Sequence, residues 1–296
     1  MTEQQAIARV KQVWPGADLV EAHFNDEGQS NDVLIANDGW VYRFAKNDAA
    51  RADLEREAKV IHLLGGYVDA QVPESELPEP GIMRQKKIHG QTLDRHTLLR
   101  QPPEVQERLC EEIAHFLFQI HRVPEDQLRA ARVGKSQVLD GIADAKTLYA
   151  DCERELFPHL KSYAVDVIRE HFEPVLTGAL SLDAPAVLIH GDLNPSHILW
   201  DPERGRLVGI IDFGMAGFGD SALDYAALLL SHGETTLRRM HQHHHSIGEK
   251  IDRARFWSLA IELKLTLSGL RSGDPRWFCA HLGTARDIMP IGTPWE

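Results

Sequence analysis

The rhythm of apolar and polar positions changes about a third of the way along the chain. Before residue 90, apolar and polar residues alternate over 19–24, 32–36 and 40–45, the period of a pleated strand with one buried face. Asn37, Asp38 and Gly39 separate the last two runs. These residue types accept the positive φ of a tight turn, so the strands are expected to pair antiparallel. A helix is predicted over 49–64, where Leu54, Val60, Ile61 and Leu64 share a face. The Pro-rich passage 73–81, the apolar and basic run 82–88 and a turn at His89 and Gly90 read as a connection between two lobes. Beyond it the spacing becomes three and four: Val105, Leu109, Ile113, Phe116, Leu117 and Ile120 mark an amphipathic helix. In that mostly helical remainder only 187–190 and 206–212 read as strands, and both deliver polar or charged residues at their ends. The pattern predicts an α+β chain of two lobes with no internal repeat. A small antiparallel-sheet lobe covers 1–84, a hinge 85–90, and a larger helical lobe 91–296.

Composition narrows the setting. The 296 residues can bury a sizeable core without disulfide staples, and 43% apolar with 26% charged residues is an ordinary folded balance. No apolar stretch approaches the ~20 residues of a spanning helix, and the first residues lack a basic segment leading into an apolar run. A cytoplasmic monomer without membrane association is therefore expected. Cys110, Cys152 and Cys279 are odd in number and far apart, which fits free thiols in a reducing compartment. The net charge of −12 argues against a nucleic-acid partner and would favour a cationic one if the acids were focused in a cleft.

Chemistry concentrates after the two late strands. His190-Gly191-Asp192-Leu193-Asn194-Pro195-Ser196-His197 follows the first, and Asp212-Phe213-Gly214 follows the second. Either triplet alone is a weak signal. Both in this order, each after a strand, resemble the catalytic loop and metal-binding triplet of kinases. There one aspartate takes or orients the acceptor hydroxyl's proton, and the other holds Mg²⁺ against nucleotide phosphates. Asp192 is assigned the first role and Asp212 the second. Upstream, the turn from Glu27 to Asp32 is small and polar, so its backbone N–H groups, with Ser30 and Asn31, could approach phosphate oxygens, although it lacks a GxGxxG pattern. Arg43 and Lys46 compete as the phosphate cation from opposite strand faces, and the small neighbour Ala45 on its own face favours Arg43. Glu57 on the following helix could pair with that cation, with Glu55 the alternative that helix phase must decide. Asp220 can cap a helix beginning near Ser221, and Asp224, inside an apolar pattern, is expected to buttress the catalytic-loop backbone.

Taken in order, these segments resemble the aminoglycoside phosphotransferase family, near its 2''-phosphotransferase and macrolide branches. The resemblance spans most of the chain and implies a protein-kinase-like bilobal fold. It implies ATP or GTP with Mg²⁺ between the lobes, and phosphoryl transfer to a hydroxyl of a small, cationic molecule held by the helical lobe. It makes Asp192 the catalytic base, Asp212 the metal ligand, Arg43 with Glu57 the ion pair of the nucleotide lobe, and Gln85, Lys86, Lys87 and Ile88 the hinge that meets the purine. Two departures stand out. His197 occupies the position where kinases usually place a metal-binding Asn, and Ala45 stands where many relatives have Pro. An imidazole is an indifferent Mg²⁺ ligand, so His197 is a second metal contact only in an altered shell.

Other features carry two readings each. Glu234, Glu262 and Asp274 could face a cationic acceptor or be solvated helix charges. Trp257, Trp277 and Phe278 could stack on a sugar, with core packing preferred. His241, His243, His244 and His245 read as a solvated polar loop rather than a metal site, and His121 has no evident partner. The first functional expectation is an antibiotic kinase acting on an aminoglycoside. The second is a macrolide or metabolite kinase, and the third a nucleotide-binding protein without catalysis.

Overall fold

The structure, a computed structural model, describes residues 1–26, 28, 30–273, 289 and 291–295. A helix that strand-like alternation passes over opens the chain, α1 (Glu3–Val13), capped by reciprocal hydrogen bonds between Thr2 and Gln5. Then come β1 (His23–Asn25), β2 (Asn31–Ile35), β3 (Trp40–Ala45), α2 (Asp48–Leu64), β4 (Ser75–Glu79) and β5 (Ile82–Lys86). The strands form one antiparallel sheet in the order β1-β2-β3-β5-β4. Its outer face buries Leu34, Tyr42 and Phe44 against Ala6 and Val10 of α1. The inner face follows from register: Val33, Arg43 and Met83 make one cross-strand row, and Ile35, Val41 and Gln85 the next.

Two sequence expectations change here. The strand expected over 19–24 shrinks to β1, because Leu19 reaches the outer cluster from outside any strand. The Pro-rich passage is not a linker. Residues 75–79 are β4, an edge strand, where Pro78 is tolerated because one side of the ladder has no partner. Gln85 and Lys86 likewise complete β5, so residues 87–90 alone run outside strands before the next one.

The remainder is β6 (Gln91–Thr92), α3 (Arg95–Leu99), α4 (Pro103–Ile120), α5 (Glu125–Ala130), α6 (Gly141–Asp151), α7 (Ser162–Leu176), β7 (Ala186–Ile189), β8 (Ile198–Asp201), β9 (Arg206–Ile210), β10 (Gly217–Asp220), α8 (Ala222–His232), α9 (Glu234–His243) and α10 (Ile251–Ser272). β7 pairs with β10, and β8 lies between β6 and β9. The pattern anticipates β7 and β9 but not the other three. β10 reads Gly-Phe-Gly-Asp, a turn by composition. It is glycine-rich because a Cβ at Gly217 would sit 2.5 Å from the Ser136 nitrogen, and one at Gly219 2.6 Å from the Ile189 side chain. Among the described residues no helix is long and apolar enough to cross a membrane.

α2 belongs to both halves. Its middle lies under the sheet, whereas Val60, Ile61 and Leu64 join Leu109, Ile113 and Phe116 of α4 in the large core. Shortly after it, Gln71 pairs with β9 beside Gly209: its N–H donates to the Val208 carbonyl at 3.1 Å, and its own carbonyl accepts from Ile210 N–H at 2.9 Å. The segment following α2 is thereby hydrogen-bonded to the strand that leads to Asp212.

Candidate active site

Asp192 sits in the loop after β7, and buried Asp224 of α8 holds that loop from below. Asp224 accepts the backbone N–H groups of His190 at 3.0 Å and Gly191 at 2.8 Å, and the Nε2–H of His121 at 2.9 Å. Burial works to raise the Asp224 carboxyl, but His121 and these donors outweigh it and hold it below its ordinary value. The buttress expected of Asp224 is therefore present. His121, which has no evident partner in the sequence, is one of its donors.

His190 joins the two aspartate turns. Its Nε2–H donates to the Ile211 carbonyl at 3.1 Å, which leaves Nδ1 to accept the Asp192 N–H at 3.2 Å. A single neutral ring thus links Asp192 to the residue before Asp212, and burial, the largest influence on it, lowers its pKa. The Asp192 carboxylate is 45% exposed, and Asn194 Nδ2 donates to its Oδ1 at 3.1 Å. His197 Nδ1–H donates to the Asp192 carbonyl at 2.7 Å, so in the neutral ring the Nε2 lone pair faces Asp212 Oδ2, 3.6 Å away.

Asp212 adopts φ 64, a left-handed conformation uncommon outside glycine. Arg43 Nη2 lies 3.8 Å from its Oδ1. Burial opposes ionisation of this carboxyl, yet the Arg43 guanidinium, the strongest opposing influence, helps to hold its pKa below the ordinary value. Arg43 Nη1 also contacts both oxygens of Glu57, at 2.7 and 2.8 Å, and Gln85 Nε2 donates to Glu57 Oε1 at 2.9 Å. Burial drives the Glu57 carboxyl up and Arg43 pulls it back. Helix phase selects Glu57, which is fully buried, over the half-buried Glu55.

These groups line one cleft of about 690 Å³ between the sheet's inner face and the loop after β7. Ile35 and Val41 form its apolar roof, Leu199 and Ile211 its floor, and Lys86, Lys87 and Ile88 one edge. Ser30, Asn31, Arg43, Glu57, Gln85, Asp192 and Asp212 all border it. Its mouth is latched: Asp53 of α2 accepts from Gln137 Nε2 at 2.6 Å and from Arg56, whose guanidinium also donates to the Gly214 carbonyl. A second cavity of similar size, bordered by Asp69, Glu112 and Arg206, contains none of these residues, and within it Asp69 pairs with His115 and Glu112 with Arg206.

Three sequence assignments change. Lys46 does not reach the cleft, because it donates to the carbonyls of Asp26 at 2.6 Å and Gly28 at 2.5 Å and so folds the turn instead. Glu234 is no acceptor ligand: it is 1% exposed, and Arg255, Arg238 and the Met289 N–H occupy its oxygens. Glu262 is half-buried on α10 and does not border this cleft, which leaves its acceptor assignment as it was. The histidine cluster is not a polar loop. It ends α9 and packs on α4, with His243 on Glu107 and His244 stacked on Phe118. Trp257 is buried core, whereas Asp274, Trp277, Phe278 and Cys279 lie outside the described residues.

The chemistry of the donors suits magnesium. Among the described residues no three His, Cys, Asp or Glu side chains form a metal cage, so an ion here would depend on Asp212's hard carboxylate oxygens together with phosphate oxygens, the usual way magnesium is held.

Residues 21–257 match the family described as "Phosphotransferase enzyme family". Viomycin phosphotransferase from Streptomyces vinaceus is 31% identical over 230 residues, covering 72% of this chain and 75% of that protein. The structure of the GDP and kanamycin complex of APH(2'') superposes with a TM-score of 0.83 at 25% identity, covering 93% of this chain and 95% of the other. Macrolide 2'-phosphotransferase type I shares the fold, with a TM-score of 0.74 at 21% identity over 96% and 98% of the two chains.

Proposed function

The chain belongs to the phosphotransferase enzyme family, and on that premise we propose that it moves the γ-phosphoryl group of ATP or GTP to a hydroxyl of a polyhydroxylated, cationic antibiotic, an aminoglycoside first. The observation that carries this reading is the meeting in one cleft of Asp192, Asp212 and the Arg43–Glu57 pair, with a cation 3.8 Å from the metal-type carboxylate. The acceptor class draws on the relatives named for viomycin and aminoglycosides and on the net charge of −12. Residues 1–86, through β5, serve as the nucleotide lobe, 87–90 as its hinge and 91–296 as the acceptor lobe, in a monomer of the cytoplasm.

The chain's own groups divide the work. The base lies between Val41 above and Leu199 below, and Arg43 takes phosphate oxygens while Glu57 holds the guanidinium in place. Ser30 and Asn31 cover the phosphates from the turn. Asp192, aimed by Asn194, accepts the acceptor hydroxyl's proton as the new P–O bond forms. Asp212 is the proposed ligand of Mg²⁺, with His197 Nε2 at its side. Bound magnesium would neutralise charge on the transferring phosphoryl group.

The test is incubation with Mg²⁺, ATP or GTP, and a panel of aminoglycosides, viomycin, macrolides and amino alcohols, with phosphorylated product read by mass. Transfer to an aminoglycoside is expected, and Asp192→Ala should cut it by about 10²- to 10⁴-fold. Nucleotide binding without transfer to any acceptor, or transfer that survives Asp192→Ala undiminished, contradicts the reading.

A further inference from the structure

We infer that Gln85 makes this a 6-aminopurine enzyme: the side chain presents a fixed hydrogen-bond acceptor to the base and so selects ATP over GTP. The inference rests on the cleft being the donor site, as proposed above, and narrows which nucleotide it takes.

Sheet register places the residue. Ile35, Val41 and Gln85 occupy one cross-strand row of the inner face, and Arg43 lies in the adjacent row. A planar base under the two β-branched side chains, with its phosphates running towards Arg43, therefore has Gln85 at its edge. Gln85 is 7% exposed, so it meets that edge in a site largely closed to water.

The orientation of its amide follows from Glu57. Both Glu57 oxygens already take N–H groups from Arg43 and can only accept. The half of the Gln85 amide that faces them must be the donor, and Nε2 lies 2.9 Å from Glu57 Oε1, with the Met83 sulfur its other neighbour at 4.0 Å. Turning the amide over would press Oε1 against a carboxylate. Oε1 is thus the atom left for the base. Adenine carries a 6-amino donor, whereas guanine carries a 6-oxo acceptor at the same place. The first completes a hydrogen bond, and the second sets two acceptors against each other in a buried site, where an unmade bond is costly. The Arg43–Glu57 pair thereby acts on base choice as well as on phosphate: it fixes the amide that reads the purine.

Binding of diphosphates tests this without any acceptor. Titration calorimetry with ADP, GDP, IDP and purine riboside diphosphate, which lacks a 6-substituent, should rank ADP tightest. Purine riboside diphosphate should come next, with the two 6-oxo nucleotides weaker than ADP by roughly tenfold to a hundredfold. In Gln85→Met, which keeps the volume and removes the acceptor, both ADP and GDP should weaken through lost support of Glu57, while their ratio falls to within about threefold. GDP bound as tightly as ADP by the unmodified chain overturns the inference, as does a ratio that Gln85→Met leaves intact. The nucleotide series alone decides if that variant fails to fold. Selective ADP binding without phosphorylation of any acceptor would sink the transfer reading and leave this one standing. Binding of neither diphosphate would end both.

Discussion

Asp212 combines two demands that a substitution can separate. Its backbone occupies a left-handed conformation, and its carboxylate faces the cleft beside Arg43. Asparagine tolerates that conformation about as well as aspartate and keeps one side-chain oxygen, but it has no charge. Asp212→Asn should therefore leave thermal stability nearly unchanged and reduce turnover by about 10²- to 10³-fold. Asp212→Ala should lose the same activity and about 1 kcal/mol of stability besides. Calorimetry beside steady-state kinetics checks both, and an Asn variant that retains turnover would remove Asp212 from the chemistry. The residues legible in the sequence were those whose chemistry is contiguous, Asp192 and Asp212 inside short motifs, whereas Glu57 stood open against Glu55 and only the packing of α2 separates them. His121 was not, because its partner Asp224 lies 103 residues away and nothing local to a solitary histidine announces such a contact.

Among the elements, α9 and α10 show how a charge can be misread. Glu234 opens α9 in a polar-looking segment, so the sequence allowed it a ligand role. Its oxygens instead meet buried Arg255 of α10, with both side chains 1% exposed. Pairing across helices leaves no trace in either helix's own periodicity. Removing one partner strands the other charge in the core, so Glu234→Ala should cost about 3–5 kcal/mol in denaturant unfolding. The acceptor KM of whatever folded enzyme remains should stay unchanged. A raised KM with intact stability would return Glu234 to the acceptor site. β10 was hidden for a different reason. Its two glycines answer to the atoms packed against them, and composition alone reads them as a turn.

For the whole molecule, acid is the direction of weakness. His232 is buried and His171 half-buried, with Nε2–H groups on the carbonyls of Leu93 and Phe256 respectively. Burial lowers both from the ordinary 6.5, against a smaller opposing pull from those carbonyls. Above 6.5 the folded and unfolded chains carry the same charge at these sites. As pH falls from 6.5 towards the lowered folded values, the unfolded chain binds protons that the folded one refuses, and stability declines. Asp224 adds a second loss lower down: its contribution is complete above the ordinary 3.8 and disappears as pH falls through its depressed value. Urea midpoints between pH 8 and 5 should therefore hold level and then drop, and His171→Gln should flatten the drop. A midpoint that rises on acidification would contradict the assignment of neutral buried rings.

Anyone recombining this enzyme with a relative inherits a constraint from α2. The obvious crossover is the short segment between the sheet and the helical part, at residues 87–90. A hybrid joined there would import Val60, Ile61 and Leu64 from one parent into a core built by the other, and would ask a foreign residue 71 to meet a strand it never evolved beside. Glu57, on the same helix, must stay with Arg43 and Gln85. No single junction respects both loyalties: a cut between Glu57 and Val60 keeps Val60 with its core but hands Gln85, β4 and β5 to the other parent, and a cut at 87–90 does the reverse. The exchangeable unit of this enzyme is therefore the whole chain rather than either half of it.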